Sequence, residues 1–354
     1  MARRKTLLDL LDELEPQVRN AFLASIQNIK DDVRLSDVEA AIRRGDIEAA
    51  IDALNIRAEY MAPLDRALTT AYQDGGDFAL AALVADAKSQ GARVVGRFDV
   101  RNPQAERFTS TRAAQLITEV VEGTKQQVRE VLTMGMRSGT SPRSAALDIV
   151  GRSATRGQPR MGGIIGLDSR RASQVQEVRD ILSSPERIGE YFIKDRETGK
   201  LKPRFKKTDR AFDGAVRRAI ADGKPMPAAQ IKRISDRHSN RLLRDRGETI
   251  ARTELLGSLH HAQDEALRQM MAREGLSQDA VTRTWDSAED SATRDSHRDA
   301  DGQSRKAGEP FLVGGHMMLH PGDRSLGAPG SEIIQCRCVL KTSVDWISQL
   351  RPDD

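Results

Sequence analysis

The sequence predicts an α+β fold that is predominantly α: an extended helical body followed by a small C-terminal α+β domain with short strands. Three observations carry this expectation. Apolar residues recur at three- and four-residue steps over most of the chain up to Arg273, the period of helices with one buried face. Charged residues make up 31% of the chain and aromatics only 4%, which leaves little to fill the core of a β-sandwich. After Gly275 the helical period stops, and glycine, proline and histidine become frequent.

Taken in order, Leu7, Leu10, Leu11, Leu14, Val18, Phe22 and Ile26 predict a helix over Thr6 to Ile29, which Pro16 can kink or split. Ser36, Asp37 and Glu39 look like a helix start and Gly45 like a stop, giving two short helices, Asp37 to Arg44 and Asp46 to Arg57, in an antiparallel hairpin. Ala58 to Gly91 is Ala-rich and helical in pattern, with breaks expected at Gly75 and Gly76. Asn102 and Pro103 open a long helical pattern that ends between Gly135 and Gly139. Gly151 to Gly166 reads as a loop or flexible connection, Ser169 to Leu182 as a helix, and Ser184 to Arg204 has no clear pattern. From Pro227 a helical pattern runs to Arg273, a rod of about 65 to 70 Å if unbroken, with Gly247 a plausible break. Val281 to Trp285 and Ile333 to Leu340 have the composition of short strands, and Pro310 to Val313 is a weaker third.

At 354 residues the chain is long enough for two or three domains. The natural divisions are an N-terminal helical domain over residues 1–150, a connecting region over 151–226, and the long helix with a C-terminal domain over 227–354. No apolar run reaches the roughly 18 residues of a membrane-spanning helix. The stretch after Met1 to Lys5 is amphipathic instead of a signal-peptide core, so the protein is expected in a cytosol or inside a particle. The net charge of +4 is mild but uneven, because Lys194 to Arg246 holds 17 Lys/Arg against 7 Asp/Glu. Such a segment, with Lys206, Lys207, Arg217, Arg218, Lys232 and Arg233, suits contact with phosphates or an acidic protein surface; a solvated helix face is the plainer reading.

The C-terminal third carries an ordered polar constellation. It comprises Arg252, Thr253 and Glu254; Trp285; Asp290, Thr293, Arg294 and His297; Asp301 and Gly302; Phe311; His320, Pro321, Gly322 and Asp323; Glu332; and Cys336, Arg337 and Cys338. Any one of these is weak, but the full order resembles the phage head-morphogenesis family of Mu F-like minor head proteins, over roughly Arg246 to Thr342. Where that family's last motif has Asn before Cys-Arg-Cys, this chain has Gln335. The resemblance implies a low-copy structural protein of a tailed phage or prophage. It would be attached at or near the portal vertex inside the head, needed for assembly, genome packaging or DNA delivery, and present in the host cytoplasm during assembly. Its implied partners are the portal protein, the major capsid or scaffolding protein, and packaged double-stranded DNA. The resemblance does not by itself imply an enzyme.

Two cysteines separated by a single residue cannot staple distant segments. If Ile333 to Leu340 is a strand, Cys336 and Cys338 share a face while Arg337 points to the other. A direct disulfide is disfavoured, since their Cα atoms would lie about 7 Å apart. Two adjacent thiolates suit a metal such as a structural zinc, with His297 the natural third ligand and His320, Asp290 or Asp301 a fourth. Two buried free thiols beside a hydrogen-bonded histidine fit the same residues equally well.

Asp290, Thr293, Arg294 and His297 can also be read as a polar catalytic loop, making the protein a metal-dependent nuclease or hydrolase, or a carrier of a toxin-delivery domain. The plainer reading has Asp290 and Thr293 capping a turn and Arg294 pairing with a carboxylate. On a helix, Arg252 and Glu254 diverge by about 200°. Glu254 then suits a buried pairing with an arginine such as Arg294 or Arg337. His260 and His261 face different ways, so at least one is expected at the surface; Trp285 reads as a core anchor.

Overall fold

The computed structural model describes residues 5–153, 155 and 157–347. Among them are eleven α-helices and seven short strands, an α+β chain that is mainly α. No helix of the described residues is long and apolar enough to cross a membrane.

Helix α1, Leu7–Asp32, opens on a reciprocal cap in which Thr6 and Asp9 satisfy each other's backbone N–H groups. It buries the seven apolar residues that predicted it. Pro16 does not split it: the residue lies on the exposed side, where water can serve the carbonyl that proline leaves unpaired. Helices α2, Leu35–Arg43, and α3, Ile47–Ala53, pack together, divided by Gly45 in a left-handed conformation. Ser36 is inside α2 and does not cap it, and α3 stops short of Arg57 because Asn55 turns the chain with φ of 51°.

Helix α4, Ala62–Ser89, runs straight through Gly75 and Gly76. These glycines supply space instead of breaks: a Cβ on Gly75 would lie 2.7 Å from Leu259, and one on Gly76 2.2 Å from the ring of buried Phe98. Helix α5 is Pro103–Arg137, with Asn102 accepting from the Gln104 amide at its start. Helix α6, Pro142–Val150, has Ser141 as its cap; α7, Ser169–Ser183, has Asp168.

The second half of the loop between α6 and α7 is packed inward. Ile164, Ile165 and Leu167 are buried, the backbones of Arg152 and Met161 pair, and buried Lys30 donates to the Gly162 carbonyl at 2.7 Å. Burial lowers the Lys30 ammonium to about 8, against the pull of Asp236 and Asp31.

The segment without sequence pattern forms a hairpin of β1, Phe192–Lys194, and β2, Leu201–Pro203, closed by a turn in which Asp195 accepts from the amides of Glu197 and Thr198. Helix α8, Asp213–Asp222, ends at Gly223. Helix α9, Ala228–Glu274, is unbroken at Gly247; one glycine costs about 1 kcal/mol in a helix interior, little for a run of 47 residues.

The remaining elements are β3, Val281–Asp286; α10, Asp295–Asp299; β4, Ser304–Lys306; β5, Phe311–Val313; β6, His316–Met318; α11, Gly330–Ile333; and β7, Val339–Val344. Strand β3 is central in an antiparallel sheet of order β4-β3-β7, with Trp285 opposite Leu340, and β5 pairs with β6 as a separate hairpin. The strand expected over Ile333 to Leu340 is not formed. That stretch ends α11, turns at Gln335 with φ of 55°, and enters β7 only at Val339.

Two compact units interleave along the chain: residues up to Ala21, Leu64–Ala114 and those from Glu248 onward form the first, and Phe22–Pro63 with Gln115–Gly247 the second. The first has a core of Tyr72, Leu80 and Leu83 on α4, Ala266, Leu267 and Met270 on α9, and Val281, Val344 and Trp346. Trp346 is anchored by donation from Nε1 to Asp86 at 2.9 Å. In the second, Val178, Ile181 and Leu182 of α7 pack on Tyr191, Val216 and Ile234.

These glycine environments set opposite expectations for the same substitution. Gly76→Ala should lower stability by about 1 to 3 kcal/mol, the cost of overpacking. Gly123→Ala in α5, where an added Cβ meets nothing within 4 Å, should raise it by about 0.5 to 1 kcal/mol. Chemical denaturation of both variants checks the pair.

Candidate functional site in the C-terminal module

The polar constellation gathers on one turn of α9. Glu254, only 6% exposed, receives Arg112 of α5 through two hydrogen bonds at 2.7 and 2.6 Å, with Arg324 at 3.6 Å. Its partners are therefore not Arg294 or Arg337. A long planar fork satisfies both carboxylate oxygens at once, which is what a buried charge requires. Thr253 accepts the Gln335 amide at 3.1 Å, and Arg252, on the diverging side, pairs with Asp12 and Glu15.

One turn on, Gly257 faces Gly322 of the Pro321-Gly322-Asp323 loop, so closely that a Cβ on Gly257 would lie 3.1 Å from the Gly322 carbonyl oxygen. Gly322 has φ of 82°, and Asp323 holds its loop by accepting from the amides of Leu319 and Ser325, each at 2.8 Å. Burial works against that carboxylate, yet His320 and the amides keep it below the usual range.

Beyond this turn the motif residues are spent on one another. Asp290 caps the Ala292 amide, exchanges bonds with Thr293 and pairs with Arg337. Arg294 donates to the Ile334 carbonyl and not to a carboxylate. Asp301 accepts the Ser287 amide at 2.7 Å, while Gly302, at φ of 74°, donates to the Trp285 carbonyl. Trp285 is fully buried, edge-on to His297 with ring centres 5.7 Å apart.

His297, on α10, turns Nδ1 toward the sulfurs of Cys338 at 3.2 Å and Cys336 at 3.4 Å. All three residues are buried and both thiols are free. The cysteines converge without the expected strand: the turn at Gln335 brings the Cys338 amide to donate to the Cys336 sulfur at 3.4 Å. The neighbouring Cys338 side chain holds the Cys336 thiol below its usual value, and Cys336 together with burial pushes Cys338 up. Glu332 stands 3.2 Å from His297 Nε2, out of line for a hydrogen bond, and takes one from Ser296 at 2.7 Å. None of the expected fourth ligands joins the set: His320, Asp290 and Asp301 have the partners just described or lie elsewhere, with His320 beside the Pro321 carbonyl.

Neither histidine of the adjacent pair is exposed. His260 is fully buried and donates from Nδ1 to the Leu256 carbonyl at 2.9 Å; half-buried His261 stacks on Phe108, with centres 3.6 Å apart, and bonds the Tyr72 hydroxyl. Burial, reinforced by His320, lowers both to about 3.

Sequence reasoning missed Arg112, Arg324 and Arg283. Arg283 is 1% exposed, pairs with Asp264 at 2.9 Å, and donates to the Leu319 and Glu309 carbonyls. Strand alternation carried the signal, because Arg283 falls on the same face as Val281 and Trp285.

The basic residues belong to the second unit. Lys206, Lys207, Arg217, Arg218, Lys232 and Arg233 are all exposed. Lys207 pairs with Asp245 and Arg217 lies over the Phe192 ring, while the other four make no ion pair among the described residues.

Comparison with known protein families finds one likeness. Residues 211–341 match the family described as phage Mu protein F like protein, beginning upstream of Arg246 and taking in α8. This part of the chain, less than half of its length, is similar to Mu F-like proteins. No curated protein and no solved structure matches the chain.

The neutral histidines imply a defined pH response. Above about pH 6.5, His260 is uncharged in both the folded and unfolded chain. Below it only the unfolded chain takes up the proton, so stability falls as the pH drops toward 3, by up to about 1.4 kcal/mol per pH unit. His260→Gln removes this term. In urea titrations the gap between wild type and variant should shrink by about 2 kcal/mol from pH 7 to pH 5.

Proposed function

We propose that this chain is a minor head protein of a tailed phage or prophage. It resides in the virion at the portal vertex and acts in head assembly, genome packaging or delivery, with the portal protein and the major capsid or scaffolding protein as partners. The observation that carries this reading is the family match over residues 211–341, on a module whose motif residues are bonded inward. Such wiring suits a rigid attachment module better than a site that must present acids and bases to a substrate. A tagged copy expressed during phage production should retain the portal protein on affinity purification, and mass spectrometry of purified particles should find the chain at low copy. Particles free of the chain, together with no retained portal protein, would overturn the proposal.

Packaged double-stranded DNA is a second partner, favoured by the unpaired exposed cations Lys206, Arg218, Lys232 and Arg233. Contact through phosphates releases counterions, with a slope of about −0.9 in log affinity against log salt for each phosphate neutralised. Replacing Lys232 and Arg233 by alanine should flatten that slope by about 2 in fluorescence-anisotropy titrations with duplex DNA. A slope unchanged by the double substitution removes these two residues from the interface.

A further inference from the structure

We propose that His297, Cys336 and Cys338 form a zinc site, with Nδ1 and two thiolates as ligands, Glu332 orienting the imidazole, and water in the fourth position. Among the described residues this is the one set of three such groups whose donor atoms all lie within 4.8 Å of one another. In a tetrahedral site with Zn–S of about 2.3 Å and Zn–N of about 2.0 Å, neighbouring N and S donors stand about 3.5 Å apart. The separations of 3.2 and 3.4 Å between His297 Nδ1 and the two sulfurs are close to that edge.

The far side of the ring points the same way. A metal-bound imidazole hands its second N–H to a carboxylate, which fixes the tautomer and turns the other nitrogen to the metal. Glu332 stands 3.2 Å from Nε2, beside that place though not aligned for the bond, and donation from Ser296 holds it there. The Cys338 amide donates to the Cys336 sulfur, the bond that a coordinated thiolate accepts.

The three donors come from α10, the turn after α11 and the approach to β7, so one ion would tie together a stretch whose helices are five and four residues long. Two sulfurs and one imidazole are a borderline-soft set, the class that selects zinc over magnesium or calcium. Coordination supplies folding free energy directly, which suits a module with so little regular structure. This inference stands apart from the head-protein reading, since either can fail alone.

The test uses the full chain. Elemental analysis of protein grown in zinc-supplemented medium and dialysed should find one zinc per chain. Cobalt loaded into chelator-stripped protein should give visible d–d bands and a near-ultraviolet sulfur-to-cobalt charge-transfer band. Cys338→Ser should abolish the charge-transfer band from that sulfur and most of the binding. Because that variant can fail to fold, Glu332→Gln serves beside it: all donors remain, and affinity measured against a chromophoric chelator should fall by about 10- to 100-fold. Two results overturn the site: wild-type protein that takes up neither metal and keeps its melting temperature when zinc is added, or zinc binding undiminished in the Cys336→Ser/Cys338→Ser double variant.

Discussion

The C-terminal module depends on a single buried carboxylate. Glu254 sits 6% exposed on α9, and a charge so placed is tolerated only where its partners are held in good geometry. Arg112 and Arg324 provide this from two other segments, so the start of α5 and the loop after β6 are fixed to the same helical turn. Thr253 adds the turn before Cys336, and Gly257 lets the Gly322 backbone approach where any side chain would hold it off. Removing Glu254 would take from partly buried Arg112 the carboxylate that both its bonds are aimed at, a larger penalty than the pair's own net stabilisation.

The same economy runs through the rest of the module. Arg283, the most buried charged side chain of the central strand, joins Asp264 of α9 to carbonyls on either side of the β5–β6 hairpin. Asp290 and Arg337 close the turn that carries His297 toward the sulfurs. Polar residues that stand far apart in the sequence are thus mutual partners. That is why their order along the chain is more informative than any one motif.

Much of this was legible in the sequence, and the misses have physical causes. The helices could be read because their apolar faces repeat over many turns; the breaks assigned to Pro16, Gly75, Gly76 and Gly247 were wrong because intrinsic propensity yields to packing and exposure. The hairpin of β1 and β2 and the strands β4 and β6 are three residues long, too short for alternation to register. His297 and the cysteines, grouped in the sequence by residue type, lie side by side, but not through the strand that was expected to align them. A left-handed residue at Gln335 produces the convergence that strand alternation was expected to give. Asparagine adopts that conformation more readily than glutamine, which gives the family's usual residue there a backbone rationale. Glu254's partners were misassigned because Arg112 lies over a hundred residues upstream, beyond any local pattern.

That Cys336 and Cys338 follow β3 and His297 along the chain has a consequence for biosynthesis. Helices α4, α5 and α9 can form as they leave the ribosome, whereas β3 must wait for its neighbour β7, and His297 for both sulfurs. Until residues 336–344 emerge, Trp285 and Arg283 lack the surroundings that bury them in the finished module. In a nascent chain the sheet and the histidine–thiol cluster therefore close together, in one step that follows the release of residues 336–344.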